Sequence, residues 1–279
     1  MVSTPPERVG TQQLMERHGI RPDTDLGQHF LLDENLADVA VRMADVGPDD
    51  VVLEIGAGLG TLTAALGRAA GCVHALEVDP RMEAPLAEST AGLDAVRVHW
   101  GDCMKMDLGA LEPAPTKVVS NLPYHVATPV LIETICRLPE VTDWALMTQR
   151  EVADRWLAAP GSRLYGGPSV IIQLACEPRS RRAVGREVFS PRPRVDSALV
   201  GLHRVGPAPD DATRALVRAA FAQRRKTLVN ALGHAGADRD AVREALAGLG
   251  LDAVVRPEQV PPADYPRLAA ALPGAGEAP

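Results

Sequence analysis

Apolar positions along this chain alternate between two spacings. Val51-Val52-Leu53-Glu54-Ile55 is short, β-branched and nearly continuous, as a strand buried on both faces should be, and residues 61–69 follow with helical spacing. The same alternation predicts strands at 73–78, 96–100 and in the run that ends at Asn121. It then predicts a helix over 128–138, a strand over 144–148 and a helix over 150–158. Strand-like runs at 169–176 and 197–203 are expected to close the sheet. Residues 36–44 read as a first helix entered from a loop, with a turn at Pro48-Asp49-Asp50 after it. Short apolar strands interleaved with helices imply an α/β class with a mostly parallel sheet. Residues 206–211, rich in Pro, Ala and Asp, read as a linker, and helical patterns follow at 213–222, 224–232, 239–249 and 263–272. Two domains are therefore expected: residues 1–205, α/β with an N-terminal extension, and residues 206–279, small and all-helical, with a disordered tail after Pro273.

Composition is consistent with a water-soluble domain: 46% of the 279 residues are apolar and 23% charged, enough for an ample core. No apolar run approaches the roughly 18 residues of a membrane span, and the polar start carries acids, so a cytoplasmic protein with no membrane partner is expected. Cys72, Cys103, Cys136 and Cys176 form no Cys-x-x-Cys pair and the seven histidines show no ligand spacing, which points to a metal-free mechanism. The net charge of −7 argues against a nucleic-acid partner, yet it hides a division. Residues 179–226 hold twelve Lys or Arg against four Asp or Glu, leaving 17 against 32 elsewhere. A basic run is often only a solvated face; here it permits RNA binding.

The candidate chemistry lies at the ends of the predicted strands. Gly56-Ala57-Gly58-Leu59-Gly60 follows the first, where glycines let the backbone approach a ligand and leave helix N–H groups free. The dinucleotide fingerprint would need a glycine where Thr61 stands, so the loop suits an adenosyl cofactor without a pyrophosphate. Glu77, 21 residues past Gly56, stands where a carboxylate accepts both hydroxyls of a ribose, and Asp102 where one accepts a proton from an adenine amino group. Each acid alone serves equally as a helix cap or turn residue. Asn121-Leu122-Pro123-Tyr124 offers a side-chain amide, a rigid proline and a ring. The N6 of adenine is a poor nucleophile because its lone pair is delocalised; the Asn121 carbonyl and a main-chain oxygen fixed by Pro123 would accept its hydrogens while Tyr124 stacks on the base. Asn and Pro are also ordinary turn residues, and Tyr a common half-buried anchor. Phe189-Ser190-Pro191-Arg192-Pro193-Arg194-Val195-Asp196 reads either as a cationic lip with a stacking ring or as a connection whose Phe is core. Arg224-Arg225-Lys226 sits at a helix junction.

In this order the motifs resemble the small-subunit ribosomal RNA adenine N6,N6-dimethyltransferase (dimethyladenosine transferase) family, with the large-subunit methyltransferases that confer macrolide resistance as cousins. The resemblance runs from Leu26 to about Leu272. It rests on Leu26-Gly27-Gln28-His29-Phe30-Leu31, Glu54-Ile55-Gly56-Ala57-Gly58-Leu59-Gly60, Gly101-Asp102, Asn121-Leu122-Pro123-Tyr124, Gln149-Arg150-Glu151, the run from Phe189 to Ser197, and Gln223-Arg224-Arg225-Lys226-Thr227. It implies a Rossmann-like S-adenosyl-L-methionine-dependent methyltransferase, with cofactor contacts at His29, Leu31, Gly56, Gly58, Glu77, Asp102 and Asn121. It also implies that Asn121 and Tyr124 hold the target adenine with Phe189 against its other face, and that N6 attacks the sulfonium methyl in line, twice per base. The implied partner is small-subunit (16S) ribosomal RNA or the pre-ribosomal small subunit, met by a monomer during ribosome biogenesis. The family commonly has Asn where His29 stands, and the segment before Gln28, often basic, reads Arg21-Pro22-Asp23-Thr24-Asp25 here. The alternatives are a methyltransferase of the same fold acting on large-subunit rRNA or on a non-RNA amine, and an assembly factor whose activity is secondary. Intact Glu77, Asp102, Asn121 and Tyr124 favour catalysis over the last.

Overall fold

A strand buried on both faces needs helices above and below it, and the chain supplies them in alternation. A computed structural model describes residues 10–23 and 26–275; the expected tail lies outside them from residue 276 onward, as do residues 1–9 and 24–25. In chain order the elements are α1 (Thr11–Arg17), β1 (Phe30–Leu31), α2 (Glu34–Met43), β2 (Val51–Ile55), α3 (Thr61–Ala69), β3 (Cys72–Glu77), α4 (Glu83–Ser89), β4 (Val96–Trp100), β5 (Lys117–Asn121), α5 (Ala127–Arg137), β6 (Asp143–Gln149), α6 (Arg150–Trp156), α7 (Gly167–Ala175), β7 (Cys176–Val184), β8 (Phe189–Ser190) and β9 (Ser197–Arg204). Four helices follow: α8 (Asp211–Ala222), α9 (Leu228–His234), α10 (Arg239–Gly248) and α11 (Asp264–Ala271). The chain divides into two compact units, residues 1–153 with 178–203, and residues 154–177 with 204–279.

The first unit is built on a seven-stranded sheet of order β4-β3-β2-β5-β6-β9-β7. Strands β2 to β6 pair in parallel, and β9 runs antiparallel against β6 through seven residue pairs, from Asp143 opposite His203 to Gln149 opposite Ser197. This is the Rossmann-like architecture expected from the sequence. The order reverses between β2 and β5: the chain moves outward from β2 through β3 to β4, then returns to β2's other side. There the ladder is short, joining only Val52 to Lys117 and Leu53 to Val118. Beyond it the Ile55 N–H donates to Ser120 Oγ at 2.9 Å, so that donor stays satisfied where the ladder stops. Such a crevice at a switch point is where open α/β sheets take ligands.

Two elements of this unit carried little sequence signal. Helix α1 has one buried apolar side chain, Leu14, which joins Phe30, Leu59 and Met82 in a small cluster over the glycine loop. Strand β7 is almost entirely exposed and rich in arginine, without the apolar alternation that marks a strand. The run at 169–176, expected as a strand, is instead helix α7. Gly166 and Gly167-Pro168 open it, Ser169 Oγ accepts the Gly166 N–H, and Val170, Ile171 and Ile172 are all buried. A helix buried on most sides reads like a buried strand, because both are short apolar runs.

In the second unit, Phe221 meets Tyr165 edge to face and stacks on Tyr265, with centroids 6.1 Å apart in both pairs. The buried hydroxyls are satisfied, Tyr165 donating to Val260 O and Tyr265 to Pro257 O. The expected helix at 224–232 starts four residues late, at Leu228, where Thr227 caps it by accepting the Asn230 N–H. The cationic triplet therefore lies in the preceding turn. Arg224 donates to the carbonyls of Ser162 and Arg163 and faces Glu258, which gives it a structural task, whereas Arg225 and Lys226 are exposed.

Gly60 sets the entry to α3 at φ 84°, a left-handed conformation that a side chain resists. A Cβ there would also strike Ser89 Oγ and come within 2.9 Å of Leu86 on α4. Gly60→Ala should therefore lower stability by roughly 2 kcal/mol, from left-handed strain plus overpacking. Urea unfolding checks this, and an unchanged midpoint would contradict it.

Candidate active site at the switch point of the sheet

The carboxyl ends of β2, β3 and β5 and the loop before β1 line one cleft. Its walls include Gly27, Gln28, His29 and Leu31, then Glu54, Gly56, Gly58 and Thr61, then Glu77, and finally Asn121, Pro123 and Tyr124. An adjoining cleft shares Leu26, Gly56, Val78 and Pro123 with it and adds Asp102, Cys103, Met104 and His125. The structure thus brings together eight of the nine residues singled out by sequence: His29, Leu31, Gly56, Gly58, Glu77, Asp102, Asn121 and Tyr124.

Phe189 is the exception. It is 2% exposed, sits opposite Leu31 in the two-stranded β1–β8 ladder, and belongs to the apolar core with Leu36, Val184 and Leu199. The alternation of β8 turns Phe189 inward and Ser190 outward.

The glycine loop is shaped for a close approach. Gly56 and Gly58 adopt φ of 82° and 55°, and a Cβ on Gly58 would come 3.2 Å from the Phe30 ring. Glu77 is buried at the tip of β3, with Oε2 accepting the Gly58 N–H at 2.7 Å and Oε1 accepting those of Val78 and Asp79. Burial pushes its carboxyl up, against the pull of these amides. Beside it Asp79 is held by Arg81, whose Nε donates to both of its oxygens, and by Gln28 Nε2 at 2.7 Å; these donors keep its carboxyl below the usual range. Gln28 also accepts the Asp23 N–H through Oε1. Gln28 is thereby the pin that fastens the loop before β1 to the end of β3, a role the sequence reading did not assign it.

Asn121 ends β5. Its Nδ2 donates to His29 O at 3.1 Å, so the donor end of the amide is engaged and the carbonyl end is left to accept from something else. Tyr124 has its hydroxyl 2.8 Å from Ser197 Oγ and its ring stacked on His29, with centroids 5.3 Å apart. His29 Nδ1 makes a further hydrogen bond to Pro191 O at 2.8 Å, tying the proline-arginine segment to the rim of the cleft. Asp102 Oδ1 accepts the Met104 N–H, which leaves Oδ2 facing Lys105 at 3.5 Å.

Glu54 is the second residue that sequence reasoning passed over. It is 1% exposed and lines the cleft, and its Oε2 is buried without a hydrogen-bond partner. Burial pushes its carboxyl up to about 8, against the weaker pull of the neighbouring Thr63 hydroxyl, and the nearby Glu77 adds to the rise. An acid in the middle of an apolar strand carries a signal of its own, since a buried carboxylate stays only where something repays its desolvation.

The family model described as ribosomal RNA adenine dimethylase matches residues 20–271. The chain belongs to that family. It is an S-adenosylmethionine-dependent rRNA adenine dimethyltransferase by membership. A protein named ribosomal RNA small subunit methyltransferase A from Moorella thermoacetica is 43% identical over 257 residues, covering 87% of this chain and 89% of its own. Its namesake in Kineococcus radiotolerans is 43% identical over 277 residues, covering 96% and 91%. Among solved structures, a dimethyladenosine transferase from Plasmodium falciparum superposes with a TM-score of 0.72 at 25% identity over 86% of this chain and 96% of that one. The 23S rRNA methyltransferase ErmE does so with 0.64 at 27% identity over 87% and 99%. Among the described residues of this dimethylase no helix is long and apolar enough to cross a membrane, and no group of His, Cys, Asp or Glu is arranged to hold a metal.

The cleft fits the cofactor on an observation independent of family. S-adenosylmethionine carries an ammonium, and the orphaned Glu54 oxygen is a buried anion-forming group with no cation of its own. Near pH 7 its raised carboxyl is mostly protonated, so pairing with an ammonium requires it to ionise. Cofactor binding around pH 7 should therefore release about one proton, and Glu54→Gln should abolish the release. Calorimetry in two buffers of different ionisation enthalpy reads this directly; a buffer-independent heat for the unaltered protein would rule the pairing out.

Proposed function

We infer that this dimethylase methylates N6 of adenosines in small-subunit (16S) ribosomal RNA, twice per base, as a cytoplasmic monomer acting in ribosome biogenesis. The observation that carries the reading is the Asn121 amide lining the cleft at the switch point beside the glycine loop, with its donor end held by His29 O. The relatives support the choice of subunit. Proteins named for the small subunit are 42–44% identical over nearly the whole chain, whereas the 23S enzyme is 27% identical.

In this reading Glu77 accepts a ribose hydroxyl through the Oε2 lone pair its three amide donors leave open, and Asp102 accepts from the adenine amine of the cofactor. Gly56 and Gly58 give the backbone its close approach, and His29 and Leu31 close the cleft from the loop side. When bound, S-adenosylmethionine supplies an electrophilic methyl on a sulfonium. The protein's part is positioning and polarisation. Asn121 Oδ1 and the main-chain oxygen of the Leu122-Pro123 turn accept the two hydrogens of the substrate N6, drawing its lone pair out of conjugation. Tyr124 supplies a ring face for the extruded base, its orientation fixed by Ser197 and His29. No nucleophilic side chain is needed, because the substrate nitrogen is itself the nucleophile.

Asn121→Ala removes the acceptor and also frees the His29 carbonyl. Methyl transfer to small-subunit RNA should fall roughly 10²-fold or more, mainly in kcat, with little change in thermal unfolding. A labelled-methyl assay followed by nucleoside analysis tests both activity and product. N6,N6-dimethyladenosine is the expected product; near-normal turnover in a stable variant would remove Asn121 from the reaction.

A further inference from the structure

Strand β7 is the outer strand of the sheet, and from Arg179 to Arg194 the chain carries six arginines and one acid in a protein of net charge −7. Arg179, Arg181, Arg182, Arg186, Arg192 and Arg194 are all exposed. They form a path. Arg179 Nη1 reaches Asp143 Oδ1 at 3.1 Å, which fixes the beginning of β7 at the sheet edge opposite the cleft. From there to Val184 the strand climbs about 16 Å at its usual rise. The chain passes Arg186, which lies 3.4 Å from Asp196 and bonds Arg194 O, and reaches the cleft rim where Pro191 O meets His29.

Charge on an outer strand has an ordinary explanation, since it discourages pairing with another chain. That explanation covers Arg179, Arg181 and Arg182 but not Arg186, Arg192 and Arg194, which lie past the strand's end where no ladder is open. An arginine head suits phosphate, because the guanidinium fork binds two oxygens at once. We propose that the exposed edge of β7 and the segment through Arg194 form a phosphate track that holds the RNA strand flanking the target adenine and leads it to the cleft. The proposal rests on the rRNA reading above.

The test is equilibrium binding of a small-subunit rRNA fragment containing the target adenines, over a salt series, with methylation of the same fragment measured in parallel. Arg181→Glu/Arg182→Glu keeps the edge charged against strand pairing but removes its attraction for phosphate; Arg181→Lys/Arg182→Lys keeps the sign. The Glu pair should bind more weakly, with a log–log salt slope lower by roughly 0.7 to 0.9 per lost contact. The Lys pair should recover most of the slope. Cofactor affinity should match the unaltered protein in both, which also shows that both are folded. If the unaltered protein binds and dimethylates the fragment while the Glu pair keeps its slope and affinity, the track is overturned and the rRNA reading stands. If the unaltered protein neither binds nor methylates the fragment, the series is run on the precursor small subunit, and failure there as well removes the small-subunit reading and the track with it.

Discussion

The site depends on the parting of β2 and β5. Gly56 follows β2 so closely against the end of β5 that a Cβ there would lie 3.8 Å from Asn121 O and 3.7 Å from the Pro123 ring, so the glycine loop and the amide share one cleft. Here the ladder stops after Leu53–Val118, and the Ser120 hydroxyl takes over the Ile55 N–H that the partner backbone no longer reaches. The strands separate without orphaning that donor, which in a buried sheet would cost about 1–3 kcal/mol. Into the gap project the two groups the chemistry needs, a backbone loop free of side chains and an amide on a rigid strand end. The loop before β1 closes the remaining side, fastened by Gln28 to Asp79 and by the His29 carbonyl to Asn121.

Much of this was legible in the residues because switch-point chemistry writes itself at strand ends. Short β-branched runs located β2, β3 and β4, and glycines, acids and the Asn-Leu-Pro-Tyr turn stood immediately after them. The elements that escaped notice did so for a shared reason: their structure is enforced by partners distant in sequence. Helix α1 is short and mostly polar, and is anchored by Thr11, whose hydroxyl donates to Leu31 O and lies 2.6 Å from Thr61 Oγ1. Strand β7 exists because β9 offers it a ladder, and its own side chains face water. Helix α7 is apolar nearly all round, so its periodicity was hidden. Phe189 posed a choice between ring-in-site and ring-in-core, and its packing opposite Leu31 depends on a β1–β8 pairing that the sequence does not reveal. Gln28 and Glu54 were visible in the motifs, but their tasks, a pin and an uncompensated buried acid, are properties of neighbours that the sequence does not order in space.

Charge follows the same division between average and place. The net value of −7 describes solubility and long-range repulsion, whereas recognition of a polyanion is decided within a Debye length of the contact, about 8 Å at physiological salt. Arginines concentrated along one edge and at the rim of the cleft let an acidic protein meet RNA there. Arg224 shows the converse, a cation in a conspicuous basic triplet that is occupied by carbonyls of its own unit.

The central claim is that this cleft dimethylates adenosine in small-subunit rRNA. Primer extension across that RNA, taken from cells with and without the protein, tests it most directly, because a dimethylated N6 cannot form the Watson–Crick pair that reverse transcription requires. The account predicts strong stops at specific adenosines that vanish without the protein and return with the unaltered gene but not with Asn121→Ala. Stops that persist without it, or that are lost from large-subunit RNA instead, would contradict the account.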